Sequence, residues 1–328
     1  MCIRDRDSAR NVEAFLDETD TAALLVIKDG TVRFERYGLT GGPAVHWMSM
    51  SVAKSFVSAL VGIAVGEGLI RDIDQPITDY VPELAGSAYD GVRIKDILQM
   101  SSGARWNEDY SDPESDLVRS GTVLALGGSF NSVAIGMQRQ RQPGVFNLYN
   151  SFDTQAIGML LVKATGRSIA DYMQEKLWQP LGMESDGYWI VDSEQMEMAY
   201  GGLQATARDF AKIGELFRLN GSWHGRQIVP AGWVRASLAP DAPHLVPGKR
   251  DNSDSALGYG FQWWLMDGDD GEFSAIGVYN QFVYVNPARG LVITKLSANR
   301  NYGLTNDETS YREFETIEMF REIGRAVG

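Results

Sequence analysis

Ser51-Val52-Ala53-Lys54 places a hydroxyl and an amine three residues apart, where a loop enters the apolar run SFVSALVGIAVG. On a helix that spacing brings both side chains to one face, a turn apart. A helix N-terminus favours negative charge developing on Ser51, and burial would disfavour the ammonium form of Lys54. A neutral amine can then take the serine proton, which is a nucleophile–base pair that needs no histidine. Taken alone, S-x-x-K is equally a capping serine beside an exposed lysine. A second segment, Pro143-Gly144-Val145-Phe146-Asn147-Leu148-Tyr149-Asn150-Ser151, precedes the helical pattern FDTQAIGMLL. It can present Tyr149 as a proton relay, or merely pack a tyrosine beside a cap made by Asn150 or Ser151. A third, Ser274-Ala275-Ile276-Gly277-Val278-Tyr279-Asn280-Gln281, reads as a strand with an internal glycine. Such a glycine often marks close approach of another backbone or a ligand. The amide of Gly277 or Val278, with that of Ser51, could form an oxyanion hole, or Gly277 could be an ordinary edge-strand glycine.

The elements that must hold these segments follow from periodicity. AALLVIKDGTVRFERY, from Ala22 to Tyr37, is two strands joined at Asp29-Gly30. A helix is predicted from about Ser51 to Gly68. From Asp72 to about Met196 helical patterns alternate with Pro/Gly/Asp/Ser loops, with VRIKDILQM, FDTQAIGMLLVKATG and SIADYMQEKLWQPLG the clear amphipathic stretches. ATARDFAKIGELFRLNG is another helix, stopped at Gly221. Strands return in GYGFQWWLM, EFSAIGVYNQFVYVNP and GLVITKLSA, and ETSYREFETIEMFREIGRAV closes the chain as one helix. Strands at both ends around a helix-rich middle predict an α/β (α+β) fold, an antiparallel sheet flanked by helices with an inserted, mainly helical domain. The boundaries expected are 12–75 with 200–328 for the discontinuous sheet domain and 76–199 for the insertion, with 1–11 disordered. A cleft between two such units is a usual place for a substrate.

Composition removes other chemistries. The 328 residues carry one cysteine, Cys2, so no internal disulfide or cysteine-held metal is expected. His46, His224 and His244 are scattered without H-x-x-x-H spacing, so neither metal nor cofactor is expected. A net charge of −13 opposes binding to nucleic acid, because no basic face is available to meet phosphates. Phe56 to Val65 is too short to span a bilayer and reads as a buried helix. The charged start, Met1 to Arg10, has no apolar signal region. The chain reads as soluble and cytoplasmic, or as periplasmic or secreted if an N-terminal signal is missing. No G-x-x-x-x-G-K-[ST] or G-x-G-x-x-G suggests a nucleotide, and no G-x-S-x-G suggests a Ser-His-Asp α/β-hydrolase.

S-x-x-K, then P-G-x-x-F-x-Y-x-S, then A-x-G-x-x-x-Q resembles, in that order and spacing, the serine β-lactamase-like hydrolases. The resemblance is to the class C-like branch, with its family VIII esterases and 6-aminohexanoate-dimer hydrolases, and extends over about residues 20–325. It implies Ser51 as acylated nucleophile, Lys54 as its base and Tyr149 as proton relay. It implies the Ser51 and Val278 amides as oxyanion hole, with Gly277 allowing the approach. Tyr110, in SSGARWNEDY, falls where amide-hydrolysing relatives carry a substrate-contacting tyrosine on a mobile loop. The acidic run Glu108 to Asp112 around it otherwise reads as a solvated loop.

Two departures bear on substrate. Penicillin-recognising members carry K-T-G or H-T-G in the late strand, where this chain has Ala275-Ile276-Gly277 without a charge. Lys163-Ala164-Thr165-Gly166 reads instead as a glycine-capped helix end. The third position of the class C Y-x-N motif is Ser151, a hydroxyl in place of an amide. Both favour a small-molecule ester or amide substrate with an apolar acyl side over a β-lactam. Trp47, Trp106, Trp263 and Trp264 are candidates to line that side. The alternatives are β-lactamase or D-Ala-D-Ala peptidase-type activity, or a non-catalytic binding or scaffolding protein on the same fold. Nothing here sets the oligomeric state.

Overall fold

The computed structural model describes residues 2–4 and 9–328. Within 1–11, expected to be disordered, Cys2–Arg4 pairs antiparallel with Ala9–Asn11. Backbone pairing across that hairpin takes up the polar groups a free segment would leave to water. The rest of that expectation lies outside the described residues.

The main sheet has seven strands: β1 (Thr21–Lys28), β2 (Thr31–Tyr37), β3 (Gly258–Tyr259), β4 (Trp264–Leu265), β5 (Phe273–Gly277), β6 (Gln281–Asn286) and β7 (Leu291–Ser297). Their order is β3-β4-β5-β6-β7-β1-β2, and every neighbour is antiparallel. The first hairpin therefore completes a sheet whose other strands come from the last third of the chain, as the pattern of strands at both ends predicts. Asp29 (φ 50°) and Gly30 (φ 74°) make the β1–β2 turn left-handed at both central positions. That matches the right-handed twist of the flanking strands and explains the Asp-Gly signal.

Both sheet faces are covered. α1 (Val12–Glu18) presses Phe15 and Leu16 on one face, together with Ile317 and Phe320 from the end of the chain, against Leu24, Val26, Phe282 and Ile293. On the other face lie α2 (Ala53–Gly66), α3 (Ser151–Thr165) and α4 (Ala207–Arg218). Every residue of α2 from Ala53 to Ala64 is buried, Lys54 included. Each buried Val, Leu, Ile or Phe there contributes about 1.5–3 kcal/mol, which is why so apolar a sequence makes a central helix rather than an exposed one. Between 76 and 199 the described chain is helices and turns, with Tyr188–Trp189 its one named strand. α3 starts at the cap Asn150, whose side chain accepts from Phe152 N, and ends at Gly166 in the left-handed region (φ 67°). Lys163 to Gly166 is therefore a helix end, as read.

The structure departs from the predicted strands and closing helix in three places. Ser274 to Gln281 is not one strand with an internal glycine: β5 ends at Gly277, Val278 to Asn280 turn the chain, and β6 begins at Gln281. GYGFQWWLM is not one strand. It breaks between β3 and β4, where Gln262 (φ 62°) turns its side chain inward to donate to Leu98 O and accept from Thr154 Oγ1. The closing helix also breaks, into Glu308–Tyr311 and α5 (Glu313–Ala326), at Arg312 (φ 55°). Arg312 is held there by Glu18 and Glu315 and lies over the Phe15 ring. No glycine or proline announces this kink; partners distant in sequence impose it.

Candidate active site

The chain enters α2 through a 3-10 turn, Met50–Val52, that continues directly into the helix. Met50 itself sits at φ 46°, a left-handed conformation that costs a non-glycine residue energy and persists only where surroundings enforce it. Those surroundings are a small sheet in which Trp47–Met48 pairs with Leu203–Ala205, and Ser49 N donates to Leu203 O at 2.7 Å. Ser51 is thereby presented at the floor of a cavity of about 350 Å³.

Lys54 Nζ donates to Ser51 Oγ at 2.9 Å, Ser151 Oγ at 3.1 Å and Tyr200 O at 3.0 Å. It is 1% exposed. Burial disfavours the ammonium and lowers the Lys54 pKa to about 8, while the charges of Glu108 and Asp153 act the other way. The Tyr149 ring lies 4.9 Å from the same Nζ. The Tyr149 hydroxyl moves oppositely. Burial, the neighbouring Tyr259 and the Glu108 charge hold its pKa well above the ordinary phenol value, against a hydrogen bond with Ser51. Near neutral pH the pair therefore divides its roles: Tyr149 stays protonated, and Lys54 is the group able to exchange a proton with Ser51.

Tyr149 is fixed from both sides of its strand-like segment. Leu148 N donates to Met100 O, Tyr149 N donates to Asp254 Oδ2 at 3.1 Å, and the ring stacks on Trp264 at 5.1 Å. Two residues on, Ser151 Oγ donates to Glu108 Oε1 at 2.7 Å and Ser151 N donates to Glu108 Oε2 at 2.8 Å. Trp106 Nε1 and Tyr110 OH also donate to Glu108, at 2.7 and 3.1 Å. Four donors converge on the Glu108 carboxylate at the N-terminus of α3. The acidic loop is thus not merely solvated. Glu108 anchors it to α3, and the path Lys54–Ser151–Glu108 is continuous. Ser151 and Glu108 lie 43 positions apart, a separation no local pattern reveals.

Behind this layer Asp153 is wholly buried. Its Oδ1 accepts from Ser102, Asn150 and Tyr89, while Oδ2 has no partner. Burial pushes its pKa up to about 7, opposed by the Ser102 and Tyr89 hydrogen bonds.

Gly277 ends β5 against the nucleophile turn. A Cβ there would lie 2.8 Å from Ser49 O, 2.9 Å from Ser51 N and 3.0 Å from Met50 Cβ, so only glycine allows this approach. Gly277 and Val278 line the cavity with Ser51, Tyr149 and Tyr110. Tyr110 meets Tyr302 edge-on at 5.9 Å. Of the four tryptophans, Trp106 and Trp264 line the cavity. Trp263 does not: it is fully buried between Phe217 and Phe273. Trp47 instead packs partly buried on the core beside Ser49. Trp263 lies just before β4 and turns into the core, whereas Trp264, the first residue of β4, faces the cavity.

Several lining residues escape the sequence reading, three of them with side chains that bear on the site's chemistry. Asp254, Glu313 and Tyr302 come from the late loops and the kinked C-terminal helix. Burial raises Asp254 to about 6 and Glu313 to about 7, the latter against a hydrogen bond that Tyr302 donates at 2.7 Å. Among the described residues no Lys, Arg or His lines the cavity, whereas Glu108, Asp109, Asp254 and Glu313 do. Among the described residues, no group of three or more His, Cys, Asp or Glu side chains is placed to hold a metal ion. Among them, too, no helix is long and apolar enough to cross a membrane.

An antiparallel sheet wrapped by helices around an S-x-x-K turn defines a class, and residues 9–316 match the family model described as Beta-lactamase; the chain belongs to that family of hydrolases. Among its curated relatives is a 6-aminohexanoate-dimer hydrolase of Paenarthrobacter ureafaciens, 32% identical over 295 residues that span 88% of this chain and 75% of the relative. A β-lactamase of Yersinia enterocolitica is 27% identical over 55% of this chain and 45% of its own length. Among solved structures, a Bacillus anthracis protein with the 6-aminohexanoate-dimer hydrolase designation superposes with a TM-score of 0.87 at 23% identity, covering all of this chain and 85% of that one. EstCE1, a hydrolase with promiscuous acyltransferase activity, superposes at 0.72 and 13% identity, over 93% and 96% of the two chains.

The Lys54 environment sets a pH dependence. For the base role proposed below the Lys54 amine must be neutral, so kcat/KM for an uncharged ester is expected to rise about tenfold per pH unit below an apparent pKa near 8 and to level off above it. The Glu108 charge favours the ammonium, so Glu108→Gln is expected to move that limb to lower pH. A profile between pH 6 and 10 that bends only near the free-lysine value contradicts the assignment.

Proposed function

We propose that the chain is a serine hydrolase of carboxylic esters or small, linear amides. The observation that carries this reading is the buried Lys54 amine 2.9 Å from Ser51 Oγ at the floor of an open cavity. Ser51 Oγ attacks the acyl carbon, and its proton passes to Lys54 Nζ. The carbonyl oxygen takes the negative charge against the amides of Ser51 and Val278. The intermediate collapses by expelling the alkoxide or amine, which receives its proton through Tyr149. Water, activated by the same groups, then attacks the acyl-enzyme and restores Ser51. Tyr110 and Trp264 wall the acyl or leaving-group side, and Ser151 hands charge compensation from Glu108 to Lys54.

The charge of the cavity supports a substrate class. Among the described residues, four carboxyl groups and no Lys, Arg or His line it, so above about pH 8, where Glu313 is ionised and Lys54 behind Ser51 is neutral, an anionic substrate meets repulsion and an ammonium-bearing one is attracted. This fits the uncharged Ala275-Ile276-Gly277 and disfavours the carboxylate of a β-lactam. It agrees with the name of the Paenarthrobacter relative, a 6-aminohexanoate-dimer hydrolase.

Incubation with a fluorophosphonate, read by intact mass and peptide mapping, is expected to give one adduct, on Ser51 and absent from Ser51→Ala. Among p-nitrophenyl esters, kcat/KM is expected to fall from 6-aminohexanoate to butyrate to a glutarate monoester, with nitrocefin poorer still. No adduct on Ser51 defeats the mechanism. Preference for the glutarate monoester or nitrocefin defeats the substrate class alone.

A further inference from the structure

We infer that Gln281 is a positioning residue for the oxyanion site, setting the height and tilt of the Val278 amide without touching substrate. The inference rests on the proposed roles of Ser51 and Val278. Gly277 and Gln281 are directly paired across β5 and β6, so Val278, Tyr279 and Asn280 must reverse the chain in three residues. Tyr279 (φ 62°) and Asn280 (φ 66°) both adopt the left-handed region, and neither is glycine. A turn with two such residues does not hold its shape from local preference alone.

The restraint is the Gln281 side chain. It is 2% exposed, and its amide nitrogen donates to Val278 O at 3.1 Å, Tyr279 O at 3.2 Å and Ser297 O at 2.6 Å. Its oxygen accepts from Ser297 N at 3.0 Å. One side chain thus ties two carbonyls of the turn to β7, the neighbouring strand on the far side from the nucleophile. Ser297 is itself held by the buried Lys295, which donates to its hydroxyl. Asn280 pins the outer end, donating to Tyr311 O at 2.7 Å and accepting from Asn299.

The Val278 N–H lies in the peptide it shares with Gly277, the last residue of the β5–β6 ladder, and the chain leaves the sheet immediately after it. Gln281 holds the next two carbonyls, Val278 O and Tyr279 O, and so limits how far Val278 and its amide can swing. An oxyanion donor works only if it is aimed beforehand, and removing one costs about 10²–10³ in rate. A donor left in place but free to swing loses part of that. The cost falls on the transition state, because the ground-state carbonyl needs the amide less.

The test uses Gln281→Met, which keeps length and shape but donates nothing, and Gln281→Glu, which keeps only the acceptor for Ser297 N. Each is measured by ester kinetics, fluorophosphonate labelling rate and thermal melting. The expected result is a kcat and a labelling rate both about 10- to 100-fold lower, with KM within about twofold and the acid limb of the pH profile unmoved. Wild-type labelling on Ser51 keeps the proposed function independent of this outcome. Unchanged labelling in either folded variant overturns the inference. So does a loss carried by KM, a shifted pH limb, or failure of both variants to fold, since each makes Gln281 a general structural residue. Failure of wild type to label Ser51 overturns the proposed function instead, and the inference with it.

Discussion

Ser51→Ala and Lys54→Met are each expected to lower kcat/KM for a neutral ester by about 10⁴-fold or more, and the double variant is expected to be no worse than either single one. The reason is geometric. Lys54 has three acceptors in reach, and only one is the Ser51 hydroxyl; the other two, Ser151 Oγ and Tyr200 O, hold the amine in line whichever proton it carries. Removing the amine leaves Ser51 an alcohol with no base. Tyr149 cannot substitute, since its surroundings keep the phenol protonated. Removing Ser51 leaves a base with nothing to deprotonate. Two groups that act as one unit give strongly non-additive losses, and a measured sum of the two effects would contradict the shared step. Lys54→Met also removes a buried polar group, so the melting temperature is expected to hold or rise while activity collapses. That opposition separates loss of chemistry from loss of fold.

Gly277→Ala is expected to cost about 10²–10³ in kcat. The added methyl would press on Ser49 O, Ser51 N and Met50 Cβ at 3.0 Å or less, and none of these is the free end of a flexible side chain. Either β5 withdraws, carrying Val278 from the oxyanion position, or the nucleophile turn shifts and misaligns Ser51 with Lys54. Both routes impair transition-state binding. Fluorophosphonate labelling is expected to slow in parallel with kcat. Wild-type kinetics in a folded Gly277→Ala protein would remove this strand from the oxyanion site.

What was legible in the sequence was what repeats locally. The three-residue spacing of Ser51 and Lys54, the apolar run that buries their helix, and the Asp29-Gly30 turn each follow from side-chain types within a few positions. Glu108 was not legible. It reads as one acid in a polar loop until α3 delivers Ser151 to it, and loop closure over 43 residues leaves no periodic trace. Arg312 likewise carries no breaker signal, since its left-handed backbone is enforced by Glu18, Glu315 and Phe15 from elsewhere. The Trp263-Trp264 pair shows the remaining limit: two identical side chains part company where the chain enters a short strand, one turned into the core and one into the cavity. The uncharged late strand is visible within three residues, but the four carboxyls that line the cavity come from separate parts of the chain.

The sheet's connectivity governs how the protein is made. β1 finds its partner β7 about 270 positions later, with the whole helical middle in between. During synthesis the strand Ala22 to Val26, five residues buried to 2% exposure or less in the finished fold, therefore waits with one edge open while helices near it can already form. Its early companions are α1 on one face and β2 on one edge, and a two-strand ribbon with so little cover is marginal in water. Late, long-range closure is slow and leaves an apolar edge available to neighbouring chains. Yield of active protein is thus set by how long that edge is exposed, and slower production at lower temperature favours pairing within the chain over pairing between chains.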